Sequence, residues 1–309
     1  MNIFTLTLNP AFDIHAHLPH FAPYAENLAA VTDRDAGGKG VNISRALTAN
    51  GIESFALVVV GEENGAEFCR MLEADGIVYR AFSVAGRIRE NLTLYEDSAP
   101  ETRISFGGLA AHISLLDAVE QYLDGQMGEG DILTMTGRLP AGLSVAAVKA
   151  FLSRMKEKGA RLVIDSRSFS LSDLVDVHPW LIKPNEEEAS AYLGRMVRSF
   201  ADALDGARAL HAQGIENVMI SLGGEGALLV CPEGTYMAAP PVVSVLSTVG
   251  AGDSSIAGFL AATVGGASAA DALGLAVAYG TAACVQAGTR PPKPDDIKRV
   301  GSRVTLRKI

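Results

Sequence analysis

The stretch TVGAGDSSIAGF, Thr248 to Phe259, sets one aspartate behind three small residues and then turns apolar. Gly250, Ala251 and Gly252 leave backbone N–H groups unobstructed where a helix starts, and a helix start attracts negative charge through its dipole and free amides. Asp253 falls in the first turn of that helix, where the same field is expected to lower its pKa and keep it ionised. A charged base beside an anion hole suits phosphoryl transfer to a hydroxyl. The carboxylate takes the hydroxyl proton while the amides stabilise the group in transit. An aspartate that merely caps the helix would explain the same letters.

Four further stretches carry groups of the same kind. DAGGKGVNISRAL (35–47) places glycines and Lys39 before an amphipathic helix, so a backbone can approach a ligand beside a cation. It lacks the spacing of a P-loop, and a flexible turn with a solvated lysine fits it equally. GRIRENLTLY sets Arg87, Arg89 and Asn91 on one face of a strand, where a guanidinium could hold phosphate through two bonds or simply guard an edge. LIKPNEEEASAYLG opens a helix at Asn185 with Glu188 three residues on. That pair could hold Mg²⁺ through water or form a capping box, and the two are compatible. SLGGEGALLV (221–230) ends a strand in glycines and resumes an apolar run, either as a turn between antiparallel strands or as a close approach to a nucleotide.

Positioning these groups needs a sheet with helices on both faces. IFTLTL (3–8), SFALVVV (54–60), DILTMTG (131–137), RLVIDS (161–166), WLIKP (180–184) and NVMISLG (217–223) read as strands. They alternate with amphipathic stretches at 41–50, 144–158 and 199–214, which implies a parallel α/β sheet covered on both faces. Gly51, Gly76, Gly159 and Gly214 are placed as helix stops. Residues 12–34 and 86–107 break the alternation with short segments that read as antiparallel strands. They form a small sheet over one end of the main unit: a substrate lid, a dimer surface, or both. No repeat or low-complexity linker divides the chain, so residues 1–309 are read as one domain.

At this point the chain resembles the PfkB-type (ribokinase-like) sugar kinases, most closely the 1-phosphofructokinase and tagatose-6-phosphate kinase branch. The likeness runs from TLNPAFD through GGKGVNISRAL, IRENLT, KPNEEE and SLGGEGA to STVGAGDS. It implies a doubly wound, mostly parallel α/β fold with a small β lid, often used in dimerisation. It makes Asp253 the catalytic base and Gly250, Ala251 and Gly252 the anion hole. Asp13 and Asn42 would bind sugar hydroxyls with Gly38 alongside, and Lys39 and Arg89 the phosphate already on the substrate. Lys183, Ser221, Gly223 and Gly226 would line the ATP site, and Asn185 with Glu188 would organise Mg²⁺. One position departs: GRLPAG puts Arg138 where such kinases usually carry serine near the substrate phosphate. Arginine there either adds a cation or obstructs the usual pose.

The rest of the composition narrows the classes. A formal net charge of −9 argues against nucleic acid as a partner. No run reaches the length of a membrane span, no secretory signal is apparent, and three scattered cysteines form no metal or disulfide framework, so a cytoplasmic protein is expected. A dinucleotide-dependent oxidoreductase is disfavoured because no Gly-x-Gly-x-x-Gly follows the first strand. The expectation is therefore an ATP- and Mg²⁺-dependent kinase of a ketohexose phosphate, fructose 1-phosphate first, with tagatose 6-phosphate and fructose 6-phosphate next. Arg89, Asn91, Arg103 and Arg138 would face that substrate; an unphosphorylated sugar would leave Arg89 and Arg103 without an anion. A non-catalytic sugar-phosphate sensor is the alternative of another class, and it would need neither Asp253 nor the Asn185/Glu188 pair.

Overall fold

A computed structural model describes residues 1–97 and 101–309. Ser98, Ala99 and Pro100, part of the expected lid segment 86–107, lie outside the described residues. The chain begins with β1 (Ile3–Thr7), leaves for β2 (Ala11–Leu18) and β3 (Ala30–Gly37), and returns through α1 (Lys39–Thr48). After β4 (Phe55–Gly61), α2 (Gly65–Ala74) and β5 (Val78–Val84) it departs again, for β6 (Arg89–Glu96) and β7 (Thr102–Ser105). The alternation resumes with α3 (Ser114–Asp124), β8 (Ile132–Thr136), α4 (Val145–Glu157) and β9 (Arg161–Asp165). It continues with α5 (Leu171–Val177), β10 (Leu181–Ile182), α6 (Glu186–Leu193), α7 (Phe200–Ala212) and β11 (Asn217–Ser221). A hairpin of β12 (Ala227–Cys231) and β13 (Gly234–Ala239) precedes α8 (Ala251–Val264), α9 (Ala269–Cys284), α10 (Pro294–Gly301) and β14 (Thr305–Lys308).

The main sheet runs β14-β13-β12-β11-β10-β9-β8-β1-β4-β5, parallel from β5 to β11 and antiparallel beyond. Strand order reverses between β1 and β8, and in such sheets ligands bind at that switch, outside the carboxyl ends of the strands. One apolar core, with Phe4 and Leu6, lies under α2 to α7; the other, with Ile3 and Ile132, lies under α1, α8, α9 and α10. Gly51, Gly76, Gly159 and Gly214 all have left-handed backbones just past helix ends. No helix among the described residues is long and apolar enough to cross a membrane, and the three cysteines are free.

The small sheet runs β3-β2-β6-β7. Its central pair, β2 and β6, is parallel, in register from Ala11↔Arg89 to Leu18↔Glu96, which corrects the expectation of antiparallel strands throughout. The reason is topological: each strand leaves the main unit in the same outward direction, and only the return strands β3 and β7 run back. β3 also extends to Gly37, past the boundary at 34 expected for the lid. The expected strand at 180–184 shrinks to Leu181–Ile182 because Pro184 has no N–H to donate.

Register explains where polar groups emerge. On the face under α1 and α8, β1 presents Ile3, Thr5 and Thr7, and β8 presents Ile132, Thr134 and Thr136 in step with them. β9 adds Val163 and Asp165 opposite Thr134 and Thr136. Leu181 pairs with Val163, so Lys183 emerges beside Asp165. Along one face, apolar residues at the strand starts give way to Thr7, Thr136, Asp165 and Lys183 at the ends, all buried. Thr5 Oγ1 is satisfied by Ser44 Oγ at 2.8 Å, whereas Thr7, Thr134 and Thr136 leave their hydroxyls without a partner among the described residues.

Candidate active site

A cleft of about 1260 Å³ lies over those strand ends. Its lid end carries Asp13, Arg89, Asn91 and Arg103, and its middle holds Gly38, Lys39, Asn42 and Gly250 to Asp253. Its far end meets Ser221, Gly223 and Gly226, with Arg138, Lys183, Asn185 and Glu188 along the walls. Residues far apart in sequence thus border one space.

Gly250 starts α8 with φ 77°, a left-handed conformation that a side chain would strain, and no side chain caps the helix. Its first amides therefore remain available to a ligand. Asp253 does not cap. Its Oδ2 accepts from Nδ2 of Asn42 at 2.9 Å. Asn42 Oδ1 in turn accepts from Nη1 of Arg45 at 3.1 Å, which fixes the amide with its NH₂ toward Asp253. Arg45 is buried and held by Asp75 through Nε at 2.8 Å.

Burial pushes the Asp253 pKa up to about 6, although Lys39 and Asn42 pull it down. This reverses the direction expected from the helix field. A helix start contributes roughly 0.3–1 kcal/mol at an exposed position, while desolvation of a buried carboxylate shifts its pKa by up to about 3–5 units. Packing of α8 against α1 and α9 buries the group, and desolvation wins. A carboxylate serving as base must be ionised, so with Asp253 in that role kcat should fall about tenfold per pH unit below about pH 6. A pH–rate profile checks this; a flat profile down to pH 5 would exclude Asp253 as the titrating base.

The cations form two groups. Nζ of Lys39 donates to Oδ2 of the buried Asp165 at 2.9 Å, and Nζ of Lys183 lies 3.8 Å from the same oxygen. Burial opposes both signs of charge here. Even so, Lys183 and Lys39 hold Asp165 below the usual carboxylate range, and Asp165 with Asp253 holds Lys39 above the usual lysine range. Arg89, Arg103 and Arg138 stand apart, and none forms an ion pair among the described residues. Arg89 reaches the carbonyls of Pro10, Phe106 and Asn9 at 3.3–3.4 Å, and its pKa is lowered by burial and by neighbouring Arg138, against the pull of Asp13. Lys39 thus stands with the acids at the centre of the cleft rather than in a ring with the arginines.

Asp13 Oδ1 accepts from Nδ2 of Asn91, its register partner across β2 and β6, at 2.9 Å. A Cβ on Gly37 would come within 2.0 Å of Asp13 Oδ2, so only glycine lets β3 pass this carboxylate. Burial raises the Asp13 pKa, and Asn91 and Arg103 oppose it. Arg87 precedes β6 and does not border this cleft; with Glu63, Arg89 and Phe106 it lines a neighbouring hollow, so of the expected trio Arg89 and Asn91 reach the cleft.

Asn185 and Glu188 form a complete capping box: Asn185 Oδ1 accepts from the Glu188 N–H, and Glu188 Oε2 from the Asn185 N–H. Glu188 Oε1 also accepts from Arg167 Nε at 3.0 Å. Both carboxylate oxygens are already engaged, each with one lone pair left. The donor set fits a hydrated Mg²⁺ held through water and not one bound directly. Asp165, Thr7, Thr136 and Arg45 were not singled out from the sequence. The readable signal for Asp165 was a carboxylate at the C-terminal end of a parallel strand, in RLVIDS.

Three comparisons bear on this cleft. Residues 13–296 match the pfkB family of carbohydrate kinases. The chain is 32% identical over 302 residues to a 1-phosphofructokinase of Escherichia coli (strain K12), covering 98% of this chain and 97% of the other. It is 32% identical over 311 residues to a 1-phosphofructokinase of Rhodobacter capsulatus, covering 100% and 98%. Among solved structures, phosphofructokinase-2 from Escherichia coli in complex with substrates and products superposes with TM-score 0.93 at 28% identity, over 98% of this chain and 99% of that one. With its sheet, its lid and an aspartate at the amide-lined start of α8, the chain belongs to the pfkB family of carbohydrate kinases.

Proposed function

We propose that this chain is an ATP-dependent kinase of ketohexose phosphates that converts fructose 1-phosphate to fructose 1,6-bisphosphate. In this reading residues 1–309 act as one unit, with β2, β3, β6 and β7 as the lid. The observation that carries it is the shared cleft: Asp253 beside the open amides of α8 in its middle, and Arg89, Arg103 and Arg138, which form no ion pair among the described residues, around it. Relatives named 1-phosphofructokinase support the first choice of sugar. The solved neighbour carrying fructose-6-phosphate keeps that isomer as the second reading. Nothing among these relatives supports a sensor without activity.

The chemistry runs as follows. Asp13, Asn91 and Asn42 bind sugar hydroxyls, and the arginines hold the phosphate already present. Asp253 accepts the proton of the acceptor hydroxyl as its oxygen bonds to the γ-phosphorus and the bond to the ADP oxygen breaks. The Gly250–Gly252 amides stabilise charge on the group in transit. Ser221, Gly223 and Gly226 line the nucleotide end, where Val242, Val243 and Val245 add an apolar wall suited to a purine. Asn185 and Glu188 would hold Mg²⁺ through water, and the ion would supply charge neutralisation at the nucleotide phosphates. On the outer side of the lid, exposed Tyr24, Leu28, Val31, Ile104 and Phe106 form a surface for a second copy of the chain.

A panel of ketohexose phosphates with ATP and Mg²⁺, read by ADP release, tests the assignment; a flat response across the panel would sink it. Glu188→Gln should raise the Mg²⁺ concentration needed for half-maximal rate by several-fold. An unchanged Mg²⁺ response with a lowered melting temperature would leave Glu188 as a helix cap only.

A further inference from the structure

Asp165 lies at the strand end between β8 and β10, and only 4% of its surface is exposed. It is the shared partner of two ammonium groups, Lys39 at 2.9 Å and Lys183 at 3.8 Å. Lys39 arrives from the first residue of α1, and Lys183 from the residue after β10. Lys183 reaches under the anion turn, where a Cβ on Gly252 would start 3.2 Å from its Nζ. Among the described residues the ion pair of Lys39 is with Asp165 and not with Asp253, although the charges of Lys39 and Asp253 act on one another. Two acids and two lysines therefore alternate across the floor of the cleft.

We propose that Asp165 is a positioning residue for the transfer step: it holds Lys39 at a stand-off from Asp253 and carries Lys183 beneath the amide turn. This rests on Asp253 being the base. Freed from Asp165, Lys39 would turn toward Asp253, the next carboxylate whose charge acts on it, and a base locked in an ion pair is a poorer proton acceptor. The groups facing Asp253 are Lys39 and Asn42 from α1, Asp165 from β9 and Lys183 beyond β10; those facing Asp165 are Lys39, Lys183 and Arg167. The alternation makes opposite demands on two variants. Asp165→Asn removes a negative neighbour and releases Lys39, so Asp253 becomes easier to ionise. Lys39→Met removes the positive neighbour, so Asp253 becomes harder to ionise.

The test is the acid limb of kcat, together with carboxyl-carbon NMR of aspartate-labelled protein, in which the Asp253 signal is identified by its loss in Asp253→Asn. Asp165→Asn should move the limb and the NMR titration down by roughly one pH unit and lower kcat at least about tenfold. Lys39→Met should move both up by a similar amount. Limbs that stay in place, or move the same way in both variants, would overturn the proposal. Should Asp165→Asn fail to fold, Lys39→Met alone decides by the direction of its shift. The NMR titration reads the electrostatics without turnover. If Asp253→Asn keeps its rate, the assignment of the base fails; if Asp253→Asn is inactive and the limbs stay, only the role of Asp165 fails.

Discussion

Replacing Asp253 by asparagine is expected to lower kcat by about 10²–10⁴-fold while leaving the binding of sugar phosphate and ATP nearly intact. The amide keeps the shape and still accepts from Asn42, but it cannot take a proton. Single-turnover rates within about threefold of wild type would remove Asp253 from the chemistry. The same substitution should raise stability. A carboxylate whose folded pKa lies near 6, above an unfolded value near 4, contributes fully below about pH 4 and loses that contribution as pH rises through 6. At pH 8 the wild type carries the whole desolvation penalty and the asparagine variant does not. Two units, already net of the Lys39 and Asn42 interactions, correspond to about 3 kcal/mol at most. A gain of on the order of 1–2 kcal/mol at pH 8 that vanishes near pH 4 is the signature. An inactive variant that is no more stable at pH 8 would mean that Asp253 is not buried at such a cost.

Removal of the Arg89 side chain should cost about 10–100-fold in kcat/KM for a sugar phosphate, since one charge-assisted hydrogen bond contributes roughly 1.5–3 kcal/mol. Free fructose, a much poorer substrate with no phosphate, should lose little. The contrast matters because Arg89 also reaches three backbone carbonyls where the lid joins the main unit. Equal losses for both sugars would reduce it to a structural clasp. Arg138→Ser then asks what the added guanidinium does. It lies close enough to Arg89 for their charges to repel. A rise in KM shows that it binds the substrate phosphate; a fall, or a changed preference among ketohexose phosphates, shows that it crowds the pocket.

What could be read from the sequence was chemistry confined to one turn. GGKG and GAGD are legible as a pair, since each alone has a plainer use as a turn or a cap, and NEEE because its capping geometry is local. The floor of the cleft was not legible in this way. The meaning of Asp165 depends on lysines from two other elements, and only strand register puts Lys183 beside it. The sign of the Asp253 shift was misjudged for the same reason: the helix field is local, whereas burial depends on α1 and α9 closing around it. The parallel pairing of β2 and β6 and the edge strand β5 were missed because alternation reveals a strand without revealing its neighbours. An eight-residue strand cannot declare its direction.

That parallel pair makes the small sheet a lever with its fulcrum at the roots of β2 and β6. Asp13 and Asn91 sit two residues from the roots of β2 and β6, whereas Leu18 and Glu96 sit at the far tips. At about 3.3 Å per residue the tips stand roughly 23 Å from the roots, and the Asp13–Asn91 pair about 7 Å. A rotation of roughly 10° about the roots would carry the tips about 4 Å and the Asp13–Asn91 pair only about 1 Å, given those arm lengths. Any such rotation would be geared down at Asp13 and Asn91 and geared up at the rim of the sheet.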